Sequence, residues 1–241
     1  MGEHTHEPTA VIAGSWEGEP VEALRERWRL PSLVVYDRVG STNDVAKRLA
    51  EAGAAEGTAV LAETQTAGRG RGGSHWHDRP GASLLLSVVL RPRLPADGPG
   101  APGTLPLRVG LVVAEAIERL SGLRTRVEWP NDVVVGRGRA EVEGGRKLAG
   151  ILCEGALSES TSSYIVVGVG VNVHQQPDDF APELRPRATS LRLAGVAGGS
   201  RPALAHDILA GVRALGKNAL RPLDRETLDR LAQRDALAGR T

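Results

Sequence analysis

A single cysteine, Cys153, in 241 residues excludes an intramolecular disulfide and any zinc site built from clustered thiolates, a usage that fits a reducing compartment. Cys153 itself reads as inert core. No run approaches the ~20 consecutive apolar residues of a membrane span, and the acidic, histidine-bearing start has neither the basic end nor the apolar centre of a secretory signal. The chain therefore reads as cytoplasmic, with no membrane partner. A charge surplus is also missing. Thirty Lys and Arg face 29 Asp and Glu, so no global field draws the chain onto nucleic acid, and any anion binding must be local. Residues 1–30 are poor in large apolar groups and read as a disordered arm. There is no internal repeat, and a 41% hydrophobic content suffices for the core of an ordinary soluble domain.

What the chain does have is the run Gly68-Arg69-Gly70-Arg71-Gly72-Gly73, followed closely by Trp76. Glycines let the main chain approach a ligand, while planar guanidinium groups grip phosphate or carboxylate oxygens in pairs. Alone, such a loop also suits a solvated surface or an RGG-type nucleic-acid tether. Its flanks argue for an anchored loop: residues 58–63 read as a strand entering it, and residues 83–90, nearly all Leu and Val, read as a buried strand leaving it.

Elsewhere residues 33–36 read as a strand. Ser41-Thr42-Asn43-Asp44 has the form of a capping box that opens a helix to about Ala52, stopped by Gly53. After a Pro/Gly connector, Pro106 opens an apolar helix that ends at Gly122. Short strands follow at 125–129, 133–135, 148–153 and 164–169, the middle two separated by a polar hairpin, and two helices close the chain at 202–220 and 223–231. This order predicts an α+β fold, a mixed and mostly antiparallel sheet with helices packed on one face.

Five motifs share polar groups at strand ends: Ser41-Thr42-Asn43; Gln65-Thr66-Ala67-Gly68-Arg69-Gly70-Arg71; Glu128-Trp129-Pro130-Asn131-Asp132; Arg146-Lys147-Leu148-Ala149-Gly150-Ile151-Leu152; and Gly168-Val169-Gly170-Val171-Asn172-Val173. In this order they resemble the catalytic domain of biotin protein ligases over about residues 34–191. The resemblance implies the fold shared by class II aminoacyl-tRNA synthetases and biotin/lipoate ligases. It places the catalytic domain at 31–233 and reads 234–241 as the start of a C-terminal SH3-like domain, absent or truncated here. Too few apolar helices precede Ser41 for an N-terminal DNA-binding domain.

The implied reaction has two steps. Biotin carboxylate attacks the α-phosphate of MgATP, and biotinyl-5′-AMP then acylates a lysine of a biotin carboxyl carrier protein domain of a carboxylase. The attack gathers negative charge, which preorganised cations must offset. Lys147, Arg71 and Asp132 are the catalytic candidates. Ser41, Thr42, Asn43, Gln65, Arg69, Gly70, Arg71 and Lys147 are expected at biotin, whose ureido head needs matched donors and acceptors in an apolar pocket. Arg69, Arg71, Trp76, Asn131, Lys147 and Asn172 are expected at ATP, with Trp76 as a flat face for adenine and the Asn172 amide reading adenine or ribose. The acceptor lysine, with a solution pKa of ~10.4, must lose a proton, and Asp132 could orient or deprotonate it. By resemblance a homodimer paired through sheet edges is open.

Three positions depart from the family pattern. Gly72 and Ser74 stand where relatives usually carry more cationic loops, and Glu128 where lysine is common; Arg124 or Arg126 could substitute. His75 and His77 lack a carboxylate or cysteine partner, so no resident metal is expected. Three other readings stay open: a lipoate-protein ligase, an RNA-binding protein that stacks bases on Trp76, and a catalytically weak biotin-binding module.

Overall fold

The computed structural model describes residues 10–93, 100–136, 145–157 and 163–237. The start of the expected arm, residues 1–9, part of the Pro/Gly connector, the expected polar hairpin and residues 238–241 lie outside the described residues.

In chain order the elements are β1 (Val11–Ile12), β2 (Ser15–Trp16), β3 (Glu19–Pro20), α1 (Val21–Arg27), β4 (Leu33–Arg38), α2 (Thr42–Glu51), β5 (Ala59–Ala62) and β6 (Ser83–Leu90). Then come α3 (Leu105–Ser121), β7 (Arg126–Glu128), β8 (Asp132–Val135), β9 (Arg146–Ala156), β10 (Tyr164–Asn172), α4 (Arg201–Leu215) and α5 (Arg225–Ala232). Eight strands form one sheet in the order β1-β4-β5-β6-β10-β9-β8-β7; β4 and β5 run parallel, and the other neighbours are antiparallel. The mixed, mostly antiparallel sheet is thus as expected.

The helices are not confined to one face. Strand β6 sends Leu84, Leu86, Val88 and Leu90 into the main core with α1, α3 and α4, while Leu85 and Val89 face the opposite way, toward Val45, Ala46 and Ala50 of α2. That two-sided cover is why β6 is apolar but for Ser83 and Ser87, since period-2 alternation leaves neither face to water. The correction matters because the face under α2 carries the candidate site.

Residues 10–30 are not a disordered arm. Trp16, Leu24, Trp28 and Leu30 are buried, the two indoles meeting edge to face at 6.2 Å. Four large side chains anchor this otherwise polar segment, which composition alone conceals. At the other end, residues 234–236 pair with the sheet. The Val127 amide donates to the Arg234 carbonyl and the Ala236 amide to the Val127 carbonyl, at 2.7 and 3.1 Å, so this segment lies against β7.

Candidate active site

Strand parity builds the floor. On β10, Val167, Val169 and Val171 enter the main core, so Gly168, Gly170 and Asn172 face α2; on the paired β9, Gly150, Leu152 and Glu154 share that face. A Cβ on Gly170 would lie 2.7 Å from the Trp76 ring, one on Gly150 would lie 3.0 Å from it, and one on Gly168 would collide with the Asn43 amide. These glycines are the space that Trp76 and Asn43 occupy.

The N-terminus of α2 forms one wall. Ser41, Thr42 and Asn43 are buried, but the expected cap is not made by Ser41, whose side chain forms no capping bond. Gln65 serves instead: its Oε1 accepts from the Thr42 amide at 2.8 Å and the Thr42 hydroxyl at 3.0 Å. The Ser87 hydroxyl lies 2.8 Å from Thr42 Oγ1 and 2.6 Å from Asn43 Oδ1, and Asn43 Nδ2 donates to Glu154 Oε2 at 2.8 Å. The Gln65 amide in turn donates to Asp78 Oδ2 at 2.9 Å. Burial raises the Asp78 pKa, against the opposing pull of the hydrogen bonds from Gln65 and Thr64.

The cations are unevenly engaged. Arg69 donates to Asp44 at 2.6 Å and Glu154 at 2.9 Å. Lys147 Nζ lies 2.8 Å from Asp132 Oδ1 and 5.8 Å from the centre of the Trp76 ring. Arg71, exposed in a short 3₁₀ turn with Gly72 and Gly73, forms no side-chain bond or ion pair among the described residues; both glycines take positive φ, and the Ser74 hydroxyl donates to the Arg71 carbonyl at 2.9 Å.

Two cavities open from this floor, and Trp76 and Lys147 line both. The first is framed by Ser41, Thr42, Asn43, Gln65, Arg69, Gly70, Arg71 and Asn131 over the apolar atoms of Leu85, Leu86, Ile151 and Leu152. The second lies among His75, His77, Glu128, Asp132, Asn172 and Arg187. Every site residue expected from the sequence therefore lines one or both cavities.

Two roles look different in place. Asn172 Nδ2 donates to the Thr189 carbonyl at 2.9 Å, and Oδ1 accepts from Gln175 at 3.0 Å, so both ends of that amide are engaged within the protein. Asn131 ties β8 to β9, donating to the Ile151 carbonyl at 3.1 Å. Trp76 Nε1 is buried without a partner among the described residues. Arg124 and Arg126 are exposed and line neither cavity, so the expected substitution for Glu128 is not made there.

Sequence reasoning missed Ser87, Glu154, Asp44 and Asp78. Strand alternation from Gly150 and Leu152 could have found Glu154, but Ser87 is hidden in an apolar run. Cys153 sits between site-facing neighbours with its thiol turned to the core, and burial, with the Glu154 charge, pushes its pKa to about 12. Such a thiol is no nucleophile. Among the described residues no group of three or more His, Cys, Asp or Glu is arranged to hold a metal, and no helix is long and apolar enough to cross a membrane.

Comparison with known proteins agrees with this geometry. Residues 35–172 match the model of the Biotin/lipoate A/B protein ligase family. The bifunctional ligase/repressor BirA of Bacillus subtilis is 38% identical over 159 residues, 66% of this chain and 46% of that protein. The biotin--[acetyl-CoA-carboxylase] ligase of Mycobacterium tuberculosis is 38% identical over 192 residues, 78% of this chain and 64% of that protein. This chain thus spans about half to two thirds of the length of these curated relatives. Among solved structures, the Aquifex aeolicus biotin protein ligase in complex with biotin and ATP superposes with a TM-score of 0.60 at 28% identity, covering 86% of this chain and 74% of that one.

Proposed function

We propose that this chain, which belongs to the Biotin/lipoate A/B protein ligase family, is an ATP-dependent biotin protein ligase. The observation that carries the reading is the position of Lys147 at the seam of two cavities, one with an apolar floor and a rim of amides, hydroxyls and the two loop arginines, the other open beside Trp76. The first suits a neutral bicyclic ureido head on a carboxylate tail. The second suits a nucleotide. The Aquifex relative's complex with biotin and ATP supports the same assignment.

In the first step a biotin carboxylate oxygen bonds to the α-phosphorus of ATP, and the bond to the β-phosphate oxygen breaks, releasing pyrophosphate. Mg²⁺ enters with ATP as part of that substrate. Lys147 and Arg71 offset the charge that gathers between the two anions, a role in which removing one donor typically costs about 10²–10³ in rate. Arg69 enters already held by Asp44 and Glu154, so it orients ligand atoms at the α2 terminus and contributes less free charge.

In the second step the lysine nitrogen of a biotin carboxyl carrier domain bonds to the acyl carbon, AMP leaves, and the amine loses a proton. Asp132, beside Lys147, is the carboxylate in reach of that amine. The experiment is incubation of the chain with biotin, MgATP and a carrier domain, read by mass. One added biotinyl group on one carrier lysine supports the reading. Transfer from lipoate and MgATP but not from biotin supports the lipoate alternative, and an unchanged carrier with a folded enzyme and preformed biotinyl-5′-AMP contradicts transfer.

A further inference from the structure

Arg201, the first residue of α4, is 5% exposed, lines neither of these cavities, and is fully engaged. Its two terminal nitrogens grip the Glu63 carboxylate at 3.0 and 3.1 Å, and one of them also donates to the Ser83 carbonyl at 3.1 Å. Glu63 is where the chain leaves β5 for the Gly/Arg loop, and Ser83 is where it re-enters the sheet as β6. One buried guanidinium therefore holds both ends of the loop. A buried charge retains this geometry only while its partners stay, because an unpaired guanidinium in the interior is strongly disfavoured.

The third partner comes from the N-terminal segment. Glu17, in the turn between β2 and β3, accepts from Arg201 Nε, and the guanidinium stacks 5.3 Å from the Trp16 ring centre. Glu17 has φ of 52°, a left-handed conformation uncommon for a residue with a side chain. With Gly18 at φ of 79° it forms the positive-φ pair of a two-residue hairpin turn, from which its carboxylate reaches Arg201. Two residues beyond Glu63, Gln65 supplies the oxygen that caps α2, so the clamp reaches the rim of the first cavity through one short stretch of backbone.

We propose that Arg201 is a positioning residue for the Gly/Arg loop, and that Glu17 makes the N-terminal hairpin part of the same device. The clamp sets where the loop leaves β5 and where it re-enters β6. That the loop closes over biotinyl-5′-AMP rests on the proposed ligase function.

Limited trypsin cleavage of the chain, both without ligand and with biotinyl-5′-AMP, tests the proposal, because Arg69 and Arg71 report directly on the loop and Arg225 on α5 is an exposed control. Glu63→Gln and Arg201→Lys are expected to speed cleavage after Arg69 and Arg71 about tenfold, the scale of one charge-assisted hydrogen bond, with cleavage after Arg225 unchanged. Glu17→Gln, on an exposed turn, is expected to act in the same direction with little change in melting temperature. Equal cleavage in wild type and all variants overturns the clamp, and so does a rise shared by Arg225, which signals general loosening. In a second readout, the same variants release preformed biotinyl-5′-AMP faster than wild type. Faster loop cleavage in a chain that neither binds nor forms the adenylate leaves the clamp standing and refutes the ligase reading.

Discussion

Lys147 holds its ammonium 2.8 Å from an Asp132 carboxylate oxygen across the neighbouring strands β9 and β8, beneath the edge of Trp76. The pair is partly exposed, so solvent screens it and its worth to stability is small. In the proposed reaction its importance lies in reactivity, because Asp132 orients the lysine assigned to the reacting phosphate. Lys147→Ala is expected to abolish adenylation, measured as biotinyl-5′-AMP formed in a single turnover. Asp132→Asn is expected to slow transfer from preformed biotinyl-5′-AMP to the carrier by about 10²-fold. Unchanged transfer in Asp132→Asn removes Asp132 from the second step.

The glycine floor gives a steric prediction. Gly170→Ala pushes a methyl group against the Trp76 ring, and Gly168→Ala against the Asn43 amide, where overpacking typically costs about 1–3 kcal/mol. Gly168→Ala is expected to weaken biotin binding, and Gly170→Ala to weaken binding at both cavities. Calorimetric titration with biotin, then with a non-hydrolysable ATP analogue, separates the two.

Arg71 and Arg69 are expected to behave differently despite their shared motif. Arg71 has no side-chain partner among the described residues, whereas Arg69 is ion-paired twice. Arg71→Gly is expected to raise leakage of biotinyl-5′-AMP into solvent, read by a chase of the bound adenylate. Arg69→Gln strands Asp44 and Glu154 next to each other, so it is expected to lower melting temperature as well as biotin affinity.

Asp78 supplies a pH signature. Its pKa is raised by burial, so the folded chain binds this proton more tightly than the unfolded chain does. The stabilisation is therefore present below the unfolded pKa and is lost as pH rises through the folded one. Asp78→Asn is expected to gain melting temperature relative to wild type as pH rises above the ordinary Asp value of about 4, because it never acquires the buried charge. A difference that is flat across this rise contradicts the assignment.

Much of this was legible where local chemistry and tertiary packing agree. The run 83–90 is a strand because its residues are buried on both faces, and α3 ends at Gly122, which takes φ of 69°. The site motifs were legible because they sit at strand and helix ends. What stayed hidden depends on partners distant in sequence. Trp16 and Glu17 read as part of a polar arm until Arg201 is placed against them, and Ser87 reads as a gap in a hydrophobic strand until Thr42 and Asn43 cover it. The Ser41 cap misled for the same reason: Gln65, a helix and a strand further along the chain, takes the helix terminus and leaves the serine hydroxyl at the cavity.

Biotin-dependent exchange of labelled pyrophosphate into ATP tests the central claim most directly, because it requires adenylation in the Lys147 cavity and needs no carrier. Exchange that depends on biotin and disappears in folded Lys147→Ala is the expected result. Absence of exchange in the folded wild-type chain, or exchange that persists in Lys147→Ala, contradicts the account.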